Sequence, residues 1–299
     1  MNLLIVFLVV VGVFCEEMAV TREHNEHLNK HVDSDAANHE ENIFRGSTMD
    51  EFKALLLSEV PVFDEDLPKF EADKAPPSKP DWDDKCLPPI KKQKEGCGSS
   101  WALAVAAMLT TRCCLSKDKD KDRIPYWLSA QELISCDTRN HGCKGGWPSW
   151  ALKYVAEKKG LVRDECLPYE GTNTVCPHKC TVSGKNWNHE CNCYGAKQCI
   201  GLENMKACLE SGPITVTFAV DDTFATFKGE IYDCKGKTTG LYSALAVEHS
   251  PDNAGNCYWK IQTSLGEDWG EKGFAKIACQ NCGIHGLYNN GNVMCELVK

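Results

Sequence analysis

The stretch Gly96-Cys97-Gly98-Ser99-Ser100-Trp101-Ala102 decides how this 299-residue chain is read. A Ser-Ser pair heads Trp101 to Leu115 (WALAVAAMLTTRCCL), a run rich in alanine with no breaker inside. That composition predicts a buried helix beginning at Ser99-Ser100. A hydroxyl is thereby expected at a helix N-terminus, where unpaired backbone N–H groups favour negative charge.

Outward from this point, the composition is that of a folded protein: 42% hydrophobic and 25% charged residues exclude collagen, low-complexity polymer and a wholly disordered chain. The formal net charge of -9 is unevenly spread. Residues 16–77 hold 16 Asp/Glu against 6 Lys/Arg, net -10, which leaves residues 78–299 at +1. Neither part is basic enough to expect nucleic acid as a partner. Residues 3–14 (LLIVFLVVVGVF) form an apolar run of signal length, with Val13 and Cys15 as small residues before a cut, so residues 1–15 are expected to be a secretory signal. No later run reaches about 18 apolar residues, so no membrane span is expected. Eighteen of the 19 cysteines follow Cys15, an even number suited to as many as nine bridges in an oxidising compartment. Cys176, Cys180, Cys191, Cys193 and Cys199 with His178 and His189 suggest zinc as an alternative, but the spacings match no common zinc pattern and pairing is preferred. No cofactor is expected.

Along the chain, residues 16–45 are acidic and poor in aromatics, and are read as loose. Thr48-Met49-Asp50-Glu51 is a capping box before Phe52, Leu55 and Leu56 at helical spacing, which predicts a short helix to about Leu57. Val60 to Pro80 reads as an extended linker, with a boundary near Pro76 and Pro77. The run Lys117 to Arg123 (KDKDKDR) reads as a solvated loop, and Leu128 to Ser135 and Ser149 to Lys159 as helices. Ile214 to Val220, Tyr258 to Ile261 and Phe274 to Ile277 read as strands. Helices first and strands later predict an α+β arrangement in two lobes.

The opening stretch resembles the active-site segment of papain-like cysteine proteases, with Ser100 where the nucleophilic cysteine belongs. Cys143-Lys144-Gly145-Gly146-Trp147-Pro148 resembles the segment on the rim of that family's cleft. Tyr258-Trp259 through Leu265-Gly266-Glu267-Asp268-Trp269-Gly270, and Cys282-Gly283-Ile284, resemble two further family segments. Cys86 and the short pro-region resemble the cathepsin B branch. The resemblance implies a papain-like two-lobe fold over residues 78–299, with a helical lobe at about 78–195, a β-barrel-like lobe at about 196–299 and a cleft between them. Residues 16–77 would be the acidic pro-segment, a partner of the cleft. A Cys97–Cys143 disulfide is implied, as are Gly145, Gly146 and Trp269 as residues of a peptide-binding cleft. As a group, Trp101, Trp147, Trp150, Trp259 and Trp269 nevertheless read as core more readily than as ligand-stacking residues.

In such enzymes a thiolate pairs with an imidazolium, an asparagine orients the ring, and a glutamine with a backbone N–H stabilises the oxyanion. Aligned without gaps from Tyr258, the histidine position is Ser243 and the asparagine position is Thr263. Leu265 stands where a shielding tryptophan is usual. Gln93 lies one residue further from Ser100 than the family spacing, and Lys94 occupies the ungapped oxyanion position. His249 is the alternative base; Ser250-Pro251-Asp252-Asn253 follows it, so it otherwise reads as an exposed turn histidine. Histidines 178 and 189 are separated, so the dipeptide-removing activity of cathepsin B, which depends on adjacent histidines, is not carried over. The leading expectation is a secreted homologue with a degenerate catalytic apparatus, binding a polypeptide or protein partner. The alternatives are an active endopeptidase using Ser100 and His249, and a decoy that binds cystatin-like inhibitors. Its expected location is the secretory pathway, extracellular or in a lysosome- or endosome-like compartment.

Overall fold

A computed structural model describes residues 49–56, 67–72, 80, 82–117, 126–250, 257–288 and 291–297. The signal segment, residues 16–48, most of the charge run after Lys117 and the turn after Ser250 lie outside the described residues.

The opening stretch feeds into the central helix. After α1 (Met49–Lys53) comes α2 (Ser100–Leu115), with Ser99 as its N-cap residue. Almost every side chain of α2 is buried, in keeping with its alanine content and lack of a polar face. Next come α3 (Ala130–Cys136) and α4 (Pro148–Lys158). Ser129 caps α3 by accepting the Glu132 N–H, and Pro148 opens α4, where a missing N–H costs nothing. Lys159 closes α4 in the left-handed region, at φ 62°.

The remaining elements are β1 (Cys193–Gln198), α5 (Leu202–Glu210), β2 (Ile214–Val220), β3 (Gly240–His249), β4 (Tyr258–Gln262), β5 (Phe274–Ala278) and β6 (Val293–Leu297). They build a six-stranded sheet in the order β1-β6-β2-β3-β4-β5, every paired neighbour antiparallel. All seven β2 residues are buried, as suits a central strand covered on both faces. This mixed arrangement of helices and an antiparallel sheet is the expected α+β fold class. Part of the expected linker packs instead: Leu67 is buried, Lys69 bridges Gln198 in parallel, and Phe70 N–H donates to Gln198 O at 2.8 Å.

All 18 cysteines after Cys15 are paired: 86–114, 97–143, 113–191, 136–176, 166–180, 193–295, 199–208, 234–282 and 257–279. The five cysteines weighed as zinc ligands are therefore in disulfides. Helix α2 is further tied to the strand region by Arg112, 5% exposed. Its guanidinium donates to Pro213 O, Gly212 O, Cys208 O and Ser211 Oγ at 2.8–3.0 Å.

Candidate active site

Ser100, the first residue of α2, is fully buried. Its Oγ accepts the backbone N–H of Ser243 at 3.3 Å. Ser243 stands opposite Thr217 in the β2–β3 ladder, and the two hydroxyls hydrogen-bond at 2.7 Å. The space around Thr217 is itself tight: a Cβ at Gly291 would lie 2.0 Å from its Oγ1, and its N–H donates to Asn292 Oδ1 at 3.0 Å.

Beyond β4, Thr263 is buried, and both its N–H and its hydroxyl donate to Gly273 O at 2.9 Å. That hydroxyl serves a turn and makes no described hydrogen bond to Ser100 or Ser243. His249 overturns the expectation of an exposed turn residue: it is 4% exposed at the end of β3, its Nδ1 2.7 Å from Ser250 O and its ring 5.6 Å from that of Trp259. The strand runs on through a bulge between Ala246 and Glu248, and Trp259 covers the ring. Six residues of strand separate His249 from Ser243, a reach of roughly 20 Å, and among the described residues no hydrogen bond links His249 to Ser100.

Of the two oxyanion candidates, Gln93 is the one beside the Ser100 segment. It is 4% exposed, and its Nε2 donates to Cys97 O at 2.7 Å and to Leu55 O at 2.8 Å. Lys94 is exposed; its backbone N–H donates to Tyr169 Oη and its carbonyl accepts the Cys97 N–H, each at 3.2 Å. Tyr169 Oη also meets Ser99 Oγ at 2.8 Å, and burial raises its phenol pKa.

The Leu55 bond means that the site is occupied by the chain itself. Phe52, Leu55 and Leu56 are all at most 3% exposed. A Cβ at Gly98 would lie 2.8 Å from Leu56 O, and one at Gly240 2.8 Å from Leu56 Cδ1. Backbone lies on backbone at Gly98, and the Leu56 side chain fills the space at the start of β3. Neither glycine was singled out in the sequence; for Gly98 the signal was its place beside Ser99-Ser100.

On the rim, Gly145 takes φ 117°. A Cβ at Gly146 would meet Asn140 Oδ1 at 2.5 Å and Trp101 Cε2 at 2.7 Å, so this glycine admits the protein's own side chains. Asn140 accepts the Trp147 N–H at 2.6 Å and donates to Asp137 Oδ2 at 2.7 Å. Burial pushes the Asp137 carboxyl up to about 6, against the pull of hydrogen bonds from Asn140 and the Arg139 N–H. Trp269 is corrected: it is fully buried, its indole N–H donates to Phe224 O at 2.9 Å, and it packs on Phe224, leaving no face for a cleft ligand.

The family profile of papain family cysteine proteases matches residues 76–290. The chain belongs to that family. Among relatives, the papain-family chain is 33% identical over 211 residues to "Cathepsin B-like CP3" of Giardia intestinalis, covering 67% of this chain and 68% of that protein. It spans 68% of the length of that protein, 64% of "Cathepsin B-like CP2" of the same organism and 59% of "Testin-2" of Rattus norvegicus. Its fold matches that of proCathepsin B S9 from Trypanosoma congolense at a TM-score of 0.70 and 22% identity, covering 93% of this chain and 97% of that one. Digestive procathepsin L2 proteinase from Tenebrio molitor larval midgut matches at 0.68 and 27% identity, covering 96% and 91%. The papain-family chain is thus a cathepsin B-like peptidase homologue, and its proform neighbours support its own pro-segment as a partner. The disulfides and the cathepsin relatives fit a secretory or lysosomal route. Among the described residues no helix is long and apolar enough to cross a membrane.

Proposed function

We propose that this cathepsin B-like homologue has no peptidase activity and works by holding polypeptide in its cleft, with its own segment around Leu55 and Leu56 as the first occupant. The observation that carries this reading is the environment of Ser100: its Oγ meets a backbone N–H of Ser243, and the Ser243 hydroxyl is committed to Thr217. A helix N-terminus contributes about 0.3–2 kcal/mol toward a negative charge. That helps a thiol of pKa about 8.5. A serine hydroxyl, several units higher, needs a general base beside it. Ser243 and Thr263 offer no imidazole and no orienting amide. In this reading residues 1–15 direct the chain into the secretory pathway, and residues 16–77 remain after secretion, since no thiolate has to be kept in check.

The test is incubation of the secreted protein, and of a form cut within residues 57–66, with a fluorogenic peptide panel between about pH 4 and 8. No turnover is expected from either. Turnover abolished by Ser100→Ala would overturn the proposal. Ser100→Cys with Ser243→His asks the reverse question, whether an otherwise intact cleft regains hydrolysis.

A further inference from the structure

One disulfide differs from the rest in its surroundings. Cys136 at the end of α3 and its partner Cys176 are both half-buried, whereas every other bridge has at least one buried cysteine. The chain around Cys176, residues 171–180 (GTNTVCPHKC), contains no carboxylate. His178 and Lys179 are exposed, and His178, in the left-handed region at φ 50°, has its Nδ1 3.5 Å from Cys176 Sγ. A disulfide reacts when a thiolate attacks one sulfur and the other leaves with the bonding electrons, so access and stabilisation of the leaving sulfur govern the rate. Both conditions are met: solvent reaches the bridge, and an imidazole stands within reach of the Cys176 sulfur.

An independent observation shows what this bridge holds. Asn173 Oδ1 accepts the Cys143 N–H on the rim at 2.7 Å, and Cys143 O accepts the Gly98 N–H at 2.7 Å, two residues before Ser100. A Cβ at Gly142 would overlap the Asn173 amide, so the fit is close. Before Asn173 the segment is fixed by Gln131, which accepts the N–H groups of Glu170 and Gly171 and donates to Thr172 O at 2.9 Å. After Asn173 the support is thin. Val175 is 91% exposed, and the Thr174 hydroxyl meets Ser135 Oγ at 2.8 Å on the surface. The Cys136–Cys176 bond therefore closes the far end of a strap that positions the rim.

We propose that Cys136–Cys176 is a thiol-exchange site for a small anionic thiol of the glutathione class, and that opening it slackens the rim at Cys143. The incoming thiolate bonds to Cys136 Sγ; the disulfide breaks, and its electron pair leaves on Cys176 Sγ, to which His178 Nδ1–H donates. A second thiolate then displaces Cys136. Two thiols are thereby oxidised to one disulfide, while the protein bridge takes up two electrons and two protons. Lys179, in a strap free of carboxylates, favours an anionic thiol over a neutral one. The remaining bridges, Cys97–Cys143 included, keep the fold closed while the strap moves. The inference is independent of whether Ser100 is active.

The test exposes the full-length secreted protein to graded ratios of reduced to oxidised glutathione, traps thiols with N-ethylmaleimide and maps each cysteine by peptide mass spectrometry. Cys136 and Cys176 are expected to open before any other pair, with the glutathione adduct on Cys136. His178→Ala should slow that opening about tenfold. In the opened protein, hydrogen exchange at the Cys143 amide should rise about tenfold, and Asn173→Ala should reproduce the rise without any thiol. Another bridge opening first, all bridges opening together, an adduct confined to Cys176, opening indifferent to His178→Ala, or unchanged Cys143 exchange would each overturn the proposal.

Discussion

Arg112 is the residue on which the joint between α2 and the sheet depends most. A buried guanidinium costs desolvation, which lowers its pKa to about 10, and Glu296 pulls the other way. The side chain keeps its place because a rigid fork of donors meets several backbone carbonyls at once. Arg112→Met would strand those carbonyls at about 1–3 kcal/mol each where no water reaches them. An overall loss of about 3–5 kcal/mol is expected in urea unfolding. Arg112→Lys, one point charge on a flexible stem, should recover less than half of it. His249 gives the opposite lesson at this scale. Its flanking Ser-Pro-Asp-Asn reads as a turn, yet burial is set by Trp259 on the next strand and by a bulge, neither of which a local window contains. Gln93 became distinguishable from Lys94 only when its amide was seen on Leu55 O and Cys97 O.

Elements whose residues decide their own conformation were legible. The α2 run is alanine-rich, α4 is closed by Lys159 and Gly160, and β2, β4 and β5 carry β-branched or aromatic residues. By contrast, β1 (Cys193–Gln198) contains a glycine, a lysine and a bulge at its β6 pairing, and β1, β6 and α5 each carry a disulfide cysteine. These elements are held by pairing and disulfides, which spacing cannot assign. The short α1 with the turn after it belongs between these cases: the capping box announces it, but its stability comes from seating Leu55 and Leu56 on Gln93, Gly98 and Gly240. Leu56→Ala removes a buried side chain worth about 2–5 kcal/mol. That substitution should leave global unfolding nearly unchanged, yet markedly speed proteolytic removal of the segment, read by mass spectrometry over time. Equal removal rates in the two proteins would mean that Leu56 does not anchor it.

For the whole molecule, acid acts in two directions. The folded state raises the Asp137 carboxyl from 3.8 to about 6, so it binds a proton more tightly than the unfolded chain. Stability gained from Asp137 therefore grows as pH falls through 6 toward 3.8, to about 3 kcal/mol. His285, which accepts the Trp259 indole N–H at 2.9 Å, is lowered by burial and by Lys206. Its contribution is complete above 6.5 and is lost as pH falls below that value. Thermal unfolding across this range should show Asp137→Asn losing the acid gain and leaving the His285 decline exposed. An unchanged profile in Asp137→Asn would refute the assignment to the rim. The rim itself is the readout, because Asp137 holds Asn140, which holds Trp147.

The Gln93–Leu55 hydrogen bond has a consequence for any outside ligand. Leu56 and Leu67 are separated by only ten residues of chain, and Phe70 is pinned to Gln198. A ligand on so short a tether competes as though dissolved at about millimolar concentration. A free peptide that favours the emptied cleft at nanomolar strength would then register only when added in large excess over that local supply. Cutting residues 57–66 should tighten the apparent Kd of such a peptide by orders of magnitude with no change in any contact it makes. Linker scission, in this light, sets the gain of the receptor.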